Sequence, residues 1–157
     1  MGAILYQTAA SFFASLCFAV LFQVRGRNLV CAAASGGVCW LVYAVSGAGL
    51  GELPAYFLAA VATTIYAEFF ARVLRTPAIV YLAAGVIPLV PGGGIYRTML
   101  FCIRGAPEEA LSACINTIGI AGAMAMGIVI VSSFVRMLSH QQIIKFQGGS
   151  SHAISRK

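Results

Sequence analysis

The stretch Gly85-Val86-Ile87-Pro88-Leu89-Val90-Pro91-Gly92-Gly93-Gly94-Ile95-Tyr96-Arg97 interrupts an otherwise apolar run with two prolines and three consecutive glycines. Each proline removes a backbone donor and clashes with the preceding turn. The glycines add freedom where helix is already weak. The apolar pieces on either side, 79–90 and 95–103, are each too short to cross a bilayer, which takes about 20 residues of straight helix. Together they have the length of one span, so 79–103 reads as a single discontinuous transmembrane helix. Backbone groups freed by the break cannot face lipid and must be buried in protein or line a wet cavity. Secondary transporters place solute sites at such breaks, because the second half-helix offers free N–H groups and a positive dipole end to an anion. On this reading Ile95 opens the second half-helix and Arg97, in its first turn, reinforces the attraction. Pro88, Pro91, Gly92, Gly93, Tyr96 and Arg97 are the candidate substrate-binding residues. The plainer alternative is a loop between two interfacial helices, with Arg97 snorkelling to headgroups.

Outward from this stretch the chain divides into further spans. It has 157 residues, 61% of them hydrophobic and only 9% charged, against about 25% charged in an ordinary soluble domain. Four acids and ten bases cannot clothe a soluble surface, so the excess apolar area faces lipid. A first span over 3–24 is closed by Arg25-Gly26-Arg27-Asn28. Because bases follow this run instead of preceding it, it reads as a retained helix and not a cleaved signal. A second span covers 29–45 and ends in the glycine-rich turn 46–52. A third covers 54–70, with Pro54 in its first turn and Arg72, Arg75 and Pro77 beyond it. After the broken helix come a loop over 104–109 and a last span over 111–135. The expected fold is all-α: a polytopic membrane domain of about five spans over 1–138, the fourth one broken, and a flexible cytoplasmic tail over 139–157.

The bases set the orientation. Arg25/Arg27, Arg72/Arg75 and Arg136/Lys145/Arg156/Lys157 share one side if there are five crossings, and the positive-inside rule puts that side in the cytoplasm. The N-terminus is then outside and the C-terminus inside. A re-entrant 79–103 segment would leave four crossings and set the bases of the tail against the others. The net charge of +6 does not point to nucleic acid, because the bases stand in ones and twos at the ends of apolar runs. The five cysteines form no C-x-x-C pair and lack metal-site spacing. They read as small buried hydrophobes.

Few other residues offer chemistry. Glu68 is the acid inside an apolar span, where an isolated carboxylate is costly. Arg72, four residues on, can pair with it along one helix face. Either Glu68 couples protons or the two form a structural pair near the interface. Asn116, Thr117, Thr63 and Thr64 are polar positions within spans, and Asn116 is a candidate substrate contact. Gly119, Ala123 and Gly127 form a small-residue face suited to close helix approach. The chain has no Asp, and both histidines lie in the tail. No hydrolytic constellation, P-loop or metal cluster is legible, so neither an enzyme nor a cofactor is expected.

Gly85 to Gly92 with Ile95-Tyr96-Arg97 resembles the P-L-[VIL]-P-G…Y-R pattern of the threonine/serine exporter family, and the preceding Arg75-Thr76-Pro77 fits as well. The resemblance covers roughly Leu5 to Met137, corresponding to that family's C-terminal membrane half. It implies a bacterial inner-membrane exporter subunit for threonine, serine or a related small carboxylate such as succinate, driven by the proton motive force. It also implies a partner, a larger membrane subunit carrying the other half; a homo-oligomer is the other way to complete the structure. The family's soluble N-terminal region has no counterpart here, nor does the tail after Met137 have one in the family. The rival expectation is a non-transporting membrane scaffold or assembly subunit, with the broken segment as a docking loop.

Overall fold

The computed structural model describes the backbone of residues 2–154 and, Ala3 excepted, the side chains of residues 2–138. Its regular elements are helices: α1 (Gly2–Leu21), α2 (Arg27–Leu50), α3 (Glu52–Leu74), α4 (Ala78–Val86), a single 3-10 turn (Ile87–Leu89), α5 (Gly92–Ile103) and α6 (Pro107–Ile154). Helices α1, α2 and α3 and the 107–138 part of α6 are each long and apolar enough to cross a membrane. The pieces 78–89 and 92–103 meet that test only together, and they bend by 46° at the break. The chain is an all-α polytopic membrane protein. The flexible tail expected over 139–157 falls outside the residues whose side chains are described.

Size sorts the inside from the outside better than hydropathy does. The core is built largely of alanines, among them Ala19, Ala32, Ala33, Ala59, Ala60, Ala67 and Ala84, while Phe13, Leu21, Val30, Phe69, Ile118, Val129 and Phe134 point outward. Lipid tails are as apolar as leucine, so helices gain little by hiding large apolar groups. They gain by letting backbones approach. Helix α1 packs on α2, α2 on α3, and α3 on α6, while α4 lies across α1, α2 and α3. The closest approaches use small residues and local hydrogen bonds. Ser11 Oγ donates to Gly36 O at 2.9 Å, and Gly36 presses on Ser15. The Ser35 hydroxyl lies 2.7 Å from Ala32 O on its own helix and 2.9 Å from Tyr81 O on α4. On α6, Gly127 meets Phe57 O, Ala60 and Val61 of α3, and Gly119 meets Leu53, which gives the small-residue face its partner within this chain.

Two stretches depart from the sequence reading. The glycine-rich segment 46–52 is not an extended turn. Helix α2 continues through Leu50, and the reversal is made at Gly51, with φ 87° and ψ 175°. Gly47 and Gly49 lower helix propensity but keep their backbone donors, and in a bilayer a hydrogen-bonded helix is the least costly state for them. The loop expected over 104–109 shrinks to Arg104-Gly105-Ala106, because Pro107 opens α6 and Glu108 and Glu109 form its first turn. Proline at a helix start loses nothing, since that N–H would be unpaired anyway.

The ends of the broken helix are set by different neighbours. At its entry, Asn28 Nδ2 donates to Thr76 Oγ1 at 3.1 Å, and Tyr81 Oη donates to Asn28 Oδ1 at 3.0 Å. Tyr81 is fully buried, so it clamps α4 to the start of α2. At the break, Leu89 packs among Cys39, Ala59, Ala60, Ile120 and Met124. Cys39 lies half-way along α2, so the helix breaks inside the bundle and not at its rim.

Candidate functional site

The backbone around the prolines takes short local bonds in place of helical ones. Val90 N–H donates to Ile87 O at 3.2 Å and Gly92 N–H to Val90 O at 2.7 Å. Pro91 then caps α5, accepting from Gly94 N–H at 3.1 Å and Ile95 N–H at 3.3 Å. The second half-helix therefore begins at Gly92, not Ile95. The three glycines form its first turn, and Arg97 stands in the second. The fixed φ of Pro91 lets its carbonyl close that turn, so the glycines need not act as a linker. Among the described residues nothing accepts a hydrogen bond from Gly93 N–H. A side chain at Gly92 or Gly93 would meet open space, whereas one at Gly94 would run into Thr117 of α6. Thr117 is itself bonded back to Ala113 O at 2.7 Å. Gly94 is thus the point of close approach that lays α5 along α6.

Helices α5 and α6 form a hairpin around Gly105, whose φ of 70° suits glycine. Ala106 N–H closes the end of α5 on Phe101 O at 3.0 Å. Between the two helices lies a groove of about 560 Å³ lined by Arg97, Phe101, Glu108, Glu109, Ser112, Ala113 and Asn116. A second, open groove of about 620 Å³ shares Glu108, Ser112 and Asn116 and is otherwise lined by Leu53, Leu111, Ile115 and Gly119. Both volumes fall in the range of small-molecule sites, roughly 300–1,000 Å³. The shared residues stand at i, i+4 and i+8 on one face of α6, a polar stripe along an otherwise apolar helix.

Of the sequence candidates, Arg97 and Asn116 both line the first groove. Pro88 and Pro91 shape the break without lining either groove, and Gly92 and Gly93 expose their backbone at the start of α5. Tyr96 is 66% exposed on the same helix. Glu68 and Arg72 are not brought to this place. Glu68 lies on α3 fifteen residues beyond Leu53, about 22 Å along the helix axis. Arg72 Nη2 reaches across to Val135 O of α6 at 3.4 Å. Glu108 was missed because Pro107 read as part of a loop, and Ser112, inside the span over 111–135, had then no polar neighbour on its face before Asn116. Their i+4 spacing with Asn116 was the available signal.

A family model described as "Threonine/Serine exporter, ThrE" matches residues 7–134. The chain belongs to the threonine/serine exporter family. The match takes in the break, the hairpin and both grooves. A "Probable threonine/serine exporter" of Mycobacterium tuberculosis is 25% identical over 129 residues, which cover 81% of this chain. The chain spans about a quarter of that relative's length, 24%. No solved structure matches the chain. The family so described is one of exporters, that is, of membrane transport proteins.

Proposed function

We propose that the chain is one membrane half of an exporter for threonine, serine or a related small carboxylate. In this reading it lies in a bacterial inner membrane, N-terminus outside and C-terminus in the cytoplasm. The observation that carries the reading is the break at Leu89, which lays α5 along α6 so that Arg97 and Asn116 line one groove. A guanidinium can take a carboxylate in two parallel hydrogen bonds.

The neighbours of the broken helix support a crossing over a re-entrant loop. Its entry is tied to Asn28. Its exit leads into Glu108, which shares a groove with Leu53, at the far end of the bundle from Asn28. With Arg25, Arg27, Arg72 and Arg75 in the cytoplasm, the groove opens outward, the side on which an exporter releases its cargo. Helix α5 buries no residue, and its free backbone at Gly93 needs cover at bilayer depth. A larger subunit carrying the other membrane half, or a second copy, would supply that cover. Glu68 is the candidate for coupling to the proton motive force, as a half-buried acid inside a span.

The test is threonine efflux from preloaded cells that express the chain with the larger subunit. Arg97→Ala lowers efflux by roughly ten- to hundredfold, the range for losing a hydrogen bond to a charged group, at unchanged amounts in the membrane. Normal efflux would remove Arg97 from the pathway and leave the scaffold reading standing.

A further inference from the structure

The groove between α5 and α6 is not simply basic. Arg97 and Phe101 form its α5 wall, while the α6 wall brings Glu108, Glu109, Ser112 and Asn116. Among the described residues no ion pair joins Arg97 to either glutamate, and a gap is left between the charges of opposite sign. Acids in the first turn of α6 also complement its dipole, and that alone would account for them on any helix. It does not account for their lining the same groove as an arginine, with a hydroxyl and a carboxamide continuing the line at Ser112 and Asn116. Such an arrangement is complementary to a small ligand that carries both charges and a hydrogen-bonding side chain.

We infer that Glu108 and Glu109 receive the α-ammonium of the substrate while Arg97 holds its carboxylate, so that the groove selects α-amino acids against dicarboxylates. The inference rests on the export reading above and narrows its substrate class. A zwitterion laid from α5 to α6 satisfies both walls. A dicarboxylate in the same pose would set its second carboxylate against two glutamates, where like charges repel. Ser112 and Asn116 lie beyond the glutamates on the same face, within reach of the hydroxyl of threonine or serine. Selection then comes from a repulsive element as well as an attractive one.

The experiment measures efflux of L-threonine, succinate and 3-hydroxybutyrate, which is threonine without its amine, from cells expressing the chain with its larger subunit. The variants are Glu108→Gln, Glu109→Gln, the double variant and Arg97→Ala. The double variant should lose roughly ten- to hundredfold in threonine efflux. It should also lose its preference for threonine over 3-hydroxybutyrate, a ratio that a merely structural defect does not change. Glu108→Asp and Glu109→Asp should retain part of the preference. Threonine efflux that fails in Arg97→Ala yet keeps its rate and its preference in the double variant would overturn the ammonium assignment and leave the export reading intact. Threonine efflux indifferent to Arg97→Ala would overturn both, while a wild type that moves succinate and not threonine would overturn the ammonium assignment and leave export of a small carboxylate standing.

Discussion

Gly85 offers the sharpest test of how this bundle is held together. Its Cα faces the α2–α3 crevice, where an added methyl would lie 2.5 Å from Ser35 Oγ, 3.0 Å from Ser35 Cβ and 2.7 Å from Thr63 Cγ2. None of these atoms is the tip of a long flexible side chain. Ser35 Oγ is committed to Ala32 O and Tyr81 O, and Thr63 Oγ1 to Ala59 O at 2.7 Å. Gly85→Ala must therefore push α4 outward or turn Ser35 out of its bond to α4. Overpacking costs about 1–3 kcal/mol, and an interhelical bond in a membrane is worth about 0.6 kcal/mol. Alanine returns up to about 1 kcal/mol of helix propensity. The net loss is about 1–2.5 kcal/mol. The assay is unfolding in mixed micelles with rising dodecyl sulfate, followed by the fluorescence of Trp40, the chain's single tryptophan. Gly122→Ala is the control, since a methyl there meets nothing within 4 Å, and it should be neutral or stabilising. Adding Thr63→Ser to Gly85→Ala removes one clashing methyl, keeps the hydroxyl and should recover part of the loss. A Gly85→Ala chain as stable as the Gly122→Ala control would refute the close packing of α4 on α2 and α3.

Leu89→Ala should destabilise by about 2–5 kcal/mol in the same assay, because Leu89 is 2% exposed among residues of α2, α3 and α6; a loss below about 1 kcal/mol would mean that the break lies at the rim. Tyr81→Phe removes one bond of the Asn28 clamp and should cost about 1 kcal/mol, whereas Asn28→Ala severs both Tyr81 and Thr76 and should cost more, an ordering that the same unfolding curves read directly. Gly94→Val should splay α5 from α6 through its clash with Thr117, measured as a longer distance between spin labels at 101 and 113, while Gly93→Val, which meets open space, should leave that distance unchanged.

The contrast between the two glycine-rich segments shows what was legible in the sequence and what was not. Segments 46–51 and 92–94 are similarly rich in glycine, yet α2 runs straight through Ser46–Leu50 while the chain breaks before Gly92. Proline makes the difference. Pro88 and Pro91 delete donors outright, whereas Gly47 and Gly49 only weaken a helix that lipid otherwise enforces. The all-α run of apolar helices and the position of the break could therefore be read from apolar length and proline alone. The inward faces could not be read from hydropathy, because leucine and alanine are both apolar and only packing distinguishes them. Half the groove was legible, through Arg97 and Asn116. Its other half was hidden by Pro107, whose role as a helix opener depends on the three-residue connection at Arg104-Gly105-Ala106 and not on anything local to Glu108.

The two halves of the broken helix meet opposite demands, and this asymmetry connects the fold to the site. Helix α4 is clamped at both ends, by Asn28 at its entry and by the Leu89 cluster at its exit, with Ser35 and Gly85 between. It fixes the depth at which the chain lets go of regular hydrogen bonding. Helix α5 leaves that anchor with no residue buried, held to α6 at Gly94 and through the hairpin. Were α5 clamped as α4 is, the groove would be filled by side chains and Arg97 would be consumed by an internal partner. Were α4 as loose as α5, the break would drift toward the interface and its freed backbone groups would be hydrated without a pathway. The proposed solute site needs the rigid half to hold the break at depth and the open half to leave its charges unspent, and on that reading the chain divides those tasks at Pro88 and Pro91.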